Sequence, residues 1–117
     1  MNIIWNTCVP NIWCSLLSVN LDHPNFNNPT GVYVIFINTT DGFRAVRVGQ
    51  GIIKDRLAKH RLDNDILKYR SYRLSVTWAE VSSENLDGVE RYLGDILQPL
   101  VGSAFPDVNP IVVNLPW

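Results

Sequence analysis

"GVYVIFINTTDGFRAVRVGQGIIKDRLAKH", Gly31 to His60, decides the fold. Gly31 to Asn38 is an unbroken run of β-branched and aromatic residues, which reads as a strand buried on both faces. "TTDG" is a turn and "FRAVRVG" a second strand, so the two form a hairpin. Gly49-Gln50-Gly51 then swings the chain from sheet to helix. Ile53 and Leu57 recur at helical spacing, and the pattern predicts a short helix from Ile52 to about Arg61.

Downstream, "YRLSVTWAEV", Tyr72 to Val81, alternates so that Tyr72, Leu74, Val76 and Trp78 share one face of a third strand. Ser82 or Ser83 can cap the next helix, with Glu84 and Asp87 in its first turns. Its apolar stripe is Leu86, Val89, Leu93, Ile96, Leu97 and Leu100. Residues 102–117 are Pro-rich and irregular. Upstream, residues 1–30 are Asn- and Pro-rich, with "NFNNPT" as loop chemistry. Trp5, Trp13, Leu16 and Leu17 mark this segment as an extension that packs on the core. The organisation expected is one α+β domain over 31–117, preceded by the extension over 1–30. The domain is a small three-stranded antiparallel β-sheet flanked by α-helices.

The 117 residues suffice for one core, and 46% hydrophobic with 18% charged residues excludes a disordered chain. The net charge is −1, but the charges are segregated. Residues 1–43 hold no Lys or Arg, residues 44–73 hold nine bases against three acids, and residues 74–117 hold one base against six acids. A local basic segment can meet a polyanion although the whole chain is near neutral. Ordinary solvated charge accounts for the same pattern.

Cys8 and Cys14 form no CxxC pair, and two Cys with two scattered His exclude a zinc quartet. Free thiols in a cytoplasmic protein are expected. No segment has signal-peptide character or membrane-spanning length, so no membrane partner is expected.

Candidate site residues lie at the margins of the apolar stripes. Arg56 and His60 fall just beside the Ile53–Leu57 stripe, and Glu90 sits next to Leu86, Leu93 and Leu97. Polar groups at such margins must be paired or must line a cleft. A salt bridge between Glu90 and Arg56 at a helix contact is the bland account.

A second account comes from order and spacing. "GVY" and "RVG" lie on successive strands. An Arg follows seven residues after Gly49 and a His four further on. A Glu on a later helix and an Asn near the end complete the set. This ordered set resembles the GIY-YIG nuclease superfamily over roughly Trp13 to Trp117. The resemblance implies a three-stranded antiparallel sheet flanked by helices and metal-dependent cleavage of a nucleic-acid phosphodiester, with DNA the expected partner. Position by position, it implies catalytic roles for Tyr33, Arg56, His60, Glu90 and Asn114, with Asn109 the lesser choice for the asparagine. Arg47 stands where the second motif normally has tyrosine. Glu90 would hold a single Mg²⁺ or Mn²⁺, and Lys54, Lys59 and Arg61 would contact nucleic acid.

The residue types suit the chemistry. Phosphodiester hydrolysis needs an activated water, charge neutralisation on the phosphoryl oxygens and help for the leaving oxygen. Arg56 can fork onto phosphate, and Arg47 can anchor it. Tyr33 or His60 can take the water's proton, His60 without any change of its ordinary pKa. This reading requires Tyr33, Arg56, His60 and Glu90 to converge on one solvent-open cleft. The alternative is a catalytically impaired module of the same fold that binds nucleic acid or a protein.

Overall fold

The hairpin is the centre of the molecule. In the computed structural model, which describes residues 1–27 and 29–117, β2 (Thr30–Thr39) pairs antiparallel with β3 (Gly42–Ile52) and, on its other side, with β4 (Ser75–Glu80). Asn28, within the stretch read as loop, lies outside the described residues. A two-residue strand, β1 (Cys14–Ser15), adds to β4. The sheet therefore has four strands in the order β1-β4-β2-β3, not three. The fourth comes from the N-terminal extension, which adds a strand to the sheet besides packing on the core.

Because β2 is central, both its faces are buried, as its unbroken apolar run requires. Tyr33, Ile35 and Ile37 point to one face. There they pack with Ile53 and Leu57 of α1 (Ile53–His60), Ile66 of α2 (Asn64–Leu67), and Leu16 and Phe26 of the extension. Val32, Val34 and Phe36 point to the other face, against Leu86, Val89 and Leu93 of α3 (Leu86–Leu97). The expected stripe on α3 is shorter than its periodicity suggested. Ile96 is half exposed and the helix ends at Leu97, before Leu100.

Tyr72 leaves the expected strand. It lies in a 3₁₀ turn, Arg70–Tyr72, and is 54% exposed, because Arg73 at φ +61° breaks the extended backbone before Leu74.

Register places the chemistry. Tyr33 is paired with Gly49, and Ile35 with Arg47. Directly opposed residues share a face, so Arg47 projects on the Tyr33 side. Gln50, opposite Val32, projects on the α3 side. A bulge follows between Ile35 and Phe36. The outer edge of β3 is met there by the segment after α3: Leu100 N donates to Ala45 O (3.2 Å) and Val101 N to Val46 O (2.8 Å). On the far side, Asn6 N donates to Trp78 O (2.9 Å) and Leu16 N to Leu74 O (3.0 Å).

The expectation of free thiols is overturned. Cys8 and Cys14 form a disulfide. A bridge between Cys8 and Ile12 turns the chain back on itself and brings the two Cα atoms to 5.1 Å, within bonding reach. The cytoplasmic expectation leaned on free thiols and loses that premise. Among the described residues, no helix is long and apolar enough to cross a membrane.

Candidate functional site

Tyr33 and His60 form the base of the site. Tyr33 is fully buried on the central strand and His60 ends α1 at 4% exposure. The Tyr33 hydroxyl lies 2.5 Å from His60 Nε2. Glycine at position 49 makes room for the ring, since a Cβ there would stand 2.2 Å from Tyr33 Oη. Burial pushes the Tyr33 phenol up, although the Arg56 and Arg47 charges pull the other way. Burial pulls the His60 imidazole down to about 4, and the Arg47 charge adds to that. The ring is therefore neutral near pH 7. Its Nδ1 is buried without a hydrogen-bond partner, 3.8 Å from Asp63 Oδ2. A neutral ring at that distance makes no ion pair, so the contact is a polar approach only.

Two guanidinium groups border this pair. Arg56, half-buried in the second turn of α1, donates from Nε to the Gln50 carbonyl (3.1 Å). Its stem lies across Gly51, whose φ of +132° suits glycine and whose missing side chain leaves the path open. Arg47 is half-buried on β3, against Gly102, and its Nε is buried with no partner. Among the described residues, neither arginine forms an ion pair. The salt bridge between Arg56 and Glu90 considered above is absent from the described residues.

Glu90 approaches from the other face, because α1 and α3 pack on opposite sides of the sheet. Gln50 connects the two sides at the end of β3. Its carbonyl takes Arg56, and its side-chain amide donates to Asp87 Oδ1 (2.7 Å) while facing Glu90. Burial pushes the Glu90 carboxyl up. The Gln50 amide opposes that rise, Asp87 adds to it, and the Arg47 and Arg56 charges oppose it. Tyr33, Arg47, Arg56, His60 and Glu90 thus act on one another electrostatically. They are not gathered on one solvent-open face: Glu90 lies across the sheet from Arg56, and Tyr33, His60 and Glu90 are buried.

Asn114 does not join them. Its Oδ1 accepts from Ile3 N (2.7 Å), its Nδ2 donates to Ile3 O (3.0 Å), and its carbonyl takes the Trp5 indole (2.9 Å). A primary amide can replace a strand partner's N–H and C=O together, and here it ties the terminal segments. Asn109 lies against α3, its carbonyl beside Gly88.

The three expected nucleic-acid contacts are dispersed as well. Lys54 pairs with Asp22 (3.1 Å). Arg61 donates to the carbonyls of Leu16 and Val19 and so clamps the extension. Lys59 is exposed.

Gln50, Asp63 and Asp87 belong to the surroundings of the site and escaped the sequence reading. The His60–Asp63 spacing of three residues was a usable signal. Gln50, a neutral residue between two glycines, gave none.

For a divalent ion the donor set is Glu90 with Asp87 one turn before it, and among the described residues no group of three His, Cys, Asp or Glu forms a metal array. One or two carboxylates suit Mg²⁺, which keeps several of its waters. Compared with protein-family models, curated proteins and solved structures, the chain matches none.

Proposed function

We propose that the chain is a GIY-YIG-like, metal-dependent endonuclease acting on nucleic acid, with DNA the expected substrate. The observation that carries this reading is the pair Arg47 and Arg56. Two half-buried guanidinium groups that have no acid partner among the described residues, beside a tyrosine–histidine hydrogen bond, call for an anion.

In this reading the two arginines neutralise the phosphoryl oxygens. Tyr33 accepts a proton from water while passing its own to His60 Nε2, so the phenol stays neutral and the proton ends on the imidazole. This order of transfer suits a phenol whose pKa is raised. Of the two bases expected, Tyr33 or His60, the phenol is the one that meets the water here, because it occupies Nε2 of the imidazole; Tyr33 is itself buried, so substrate binding must open the path to its hydroxyl. Glu90, with Asp87 beside it, would hold a Mg²⁺ or Mn²⁺, which supplies Lewis acidity at the phosphate and its leaving oxygen.

A second reading is a catalytically impaired module of that fold that binds nucleic acid. Two observations favour it, and both run against the open, convergent cleft that cleavage was expected to need: Tyr33 is fully buried, and Glu90 stands on a helix across the sheet from Arg56.

Incubation of the protein with mixed DNA and RNA substrates and Mg²⁺ or Mn²⁺ separates the two. Cleavage by the wild type that is lost in Glu90→Gln and Glu90→Ala supports the nuclease. Binding with no cleavage under either metal supports the module. Full cleavage by Glu90→Gln would leave the residue a structural role only.

A further inference from the structure

The hexapeptide "KYRSYR", Lys68 to Arg73, lies between α2 and β4 and has no part in the site described. Lys68, Arg70, Ser71, Tyr72 and Arg73 are exposed. Among the described residues, none of its three cations forms an ion pair.

Tyr69 and Tyr72 line a cavity of about 770 Å³ whose other walls include Asn38, Phe43, Arg44 and Asp41 at the hairpin end. Lys68 Nζ stands 5.5 Å from the centre of the Tyr69 ring, so that ring is already partnered. Tyr72, 54% exposed, is the free aromatic surface.

The cavity is aligned with the site. Arg44 is paired with Ile37, Arg47 with Ile35 and Gly49 with Tyr33, so all three strand positions lie along β3 on the same face of the sheet. Leu100 lines the cavity, and Gly102, two residues on, abuts the Arg47 guanidinium.

We infer that the groove formed by Tyr72, Tyr69, Phe43 and Arg44 binds single-stranded nucleic acid, with Tyr72 stacking on a base and Lys68, Arg70 and Arg73 meeting phosphates. The inference rests on the nucleic-acid part of the reading above and adds the substrate class: a strand with unstacked bases. In a duplex the bases are stacked on one another and offer an exposed phenol ring no face. A purely acidic partner would use the three cations and leave the ring idle. Asp41 is the acid on the groove wall, and it sits on the hairpin side, away from the hexapeptide in sequence.

The test is fluorescence anisotropy with EDTA present, so that no strand is cut. The probes are a labelled oligothymidylate, an abasic phosphodiester of equal length and a hairpin duplex. Tyr72→Ala should weaken oligothymidylate binding about 5- to 160-fold, the range for loss of one stacked base, while Tyr72→Phe binds like the wild type. The abasic strand should bind the wild type no better than oligothymidylate binds Tyr72→Ala. Replacing Lys68, Arg70 and Arg73 together by Ser should reduce the log–log salt slope by about 2, at roughly 0.7 per phosphate contact. Unchanged thermal melting of Tyr72→Ala shows that the fold is kept.

Equal affinity of wild type and Tyr72→Ala, or equal affinity for abasic and oligothymidylate strands, overturns the groove. If the wild type nonetheless cleaves DNA with Mg²⁺, the nuclease reading survives that result. Binding that depends on Tyr72, with no cleavage under any metal, upholds the groove and removes the nuclease. No binding to any of the three probes overturns both.

Discussion

The Tyr33 hydroxyl and His60 Nε2 are 2.5 Å apart inside the sheet's buried face, and the direction of this hydrogen bond decides where the imidazole proton sits. The proton transfer proposed above needs the phenol to donate to Nε2, which leaves the ring proton on Nδ1, towards Asp63. Nitrogen-15 NMR of His60 should therefore show the Nδ1–H tautomer at neutral pH. Tyr33→Phe removes the donor to Nε2 and should release the tautomer preference. An Nε2–H signal in the wild type would reverse the direction of the contact and remove the proton transfer proposed for it.

Stability should depend on pH through His60. Its folded pKa, about 4, lies below the ordinary 6.5, so the unfolded chain binds the extra proton between those values. Folding stability is therefore highest above pH 6.5 and falls as pH drops towards 4, by at most about 3 kcal/mol from this group. The charged groups facing the ring are Arg47, Asp63, Arg56 and Lys59. Urea unfolding of wild type and His60→Gln across this window checks it. The variant should lose most of the slope.

Gln50 should couple the two sides of the site. Gln50→Ala removes the amide that opposes the upward shift of Glu90 and leaves Asp87 without its 2.7 Å partner. The expected outcome is a Glu90 carboxyl that ionises at still higher pH and a weaker response to Mg²⁺. The loss of folding stability should be about 1 kcal/mol, the ordinary worth of one hydrogen bond. Carbon-13 titration of Glu90 and urea unfolding report the two effects separately. An unmoved Glu90 titration would show that Gln50 serves Asp87 alone.

Arg47 should cost the fold something that only a ligand returns. Its Nε is buried without a partner, so Arg47→Met, which keeps the stem and removes the charge, should melt at the wild-type temperature or above. The same variant should bind inorganic phosphate and oligonucleotides more weakly. Marked destabilisation with unchanged binding would make Arg47 a structural residue. Arg47→Tyr places a phenol where the second GIY-YIG motif has one. Cleavage gained by that variant over an inactive wild type would mark a site that has lost catalysis.

The features legible in the sequence were those with a repeat long enough to declare itself. The unbroken run from Gly31 to Ile37 gave β2, and alternation gave β4. The 3.6-residue stripes gave α1 and the first part of α3. β1 is two residues long and holds its place by pairing with β4, which no local pattern encodes. The disulfide depends on a turn at Cys8–Ile12, so six residues of spacing said nothing of it. Tyr33, Arg47, Arg56, His60 and Glu90 are brought into mutual electrostatic reach because each sits on a regular element whose phase could be read. Asn114 was misplaced because it lies beyond the last regular element, where position is set by contact with Ile3 at the opposite end of the chain.

The segment after α3 that donates to Ala45 and Val46 has a consequence for self-association. Sheets with a bare outer strand recruit identical strands from neighbouring copies, the first step towards fibrils. Here a newcomer at the β3 bulge must first displace Leu100 and Val101, and one on the β4 side must displace Cys14, Ser15, Leu16 and Asn6. The irregular flanks of the chain act as bumpers for its apolar centre, keeping a molecule built around so hydrophobic a hairpin from polymerising through it.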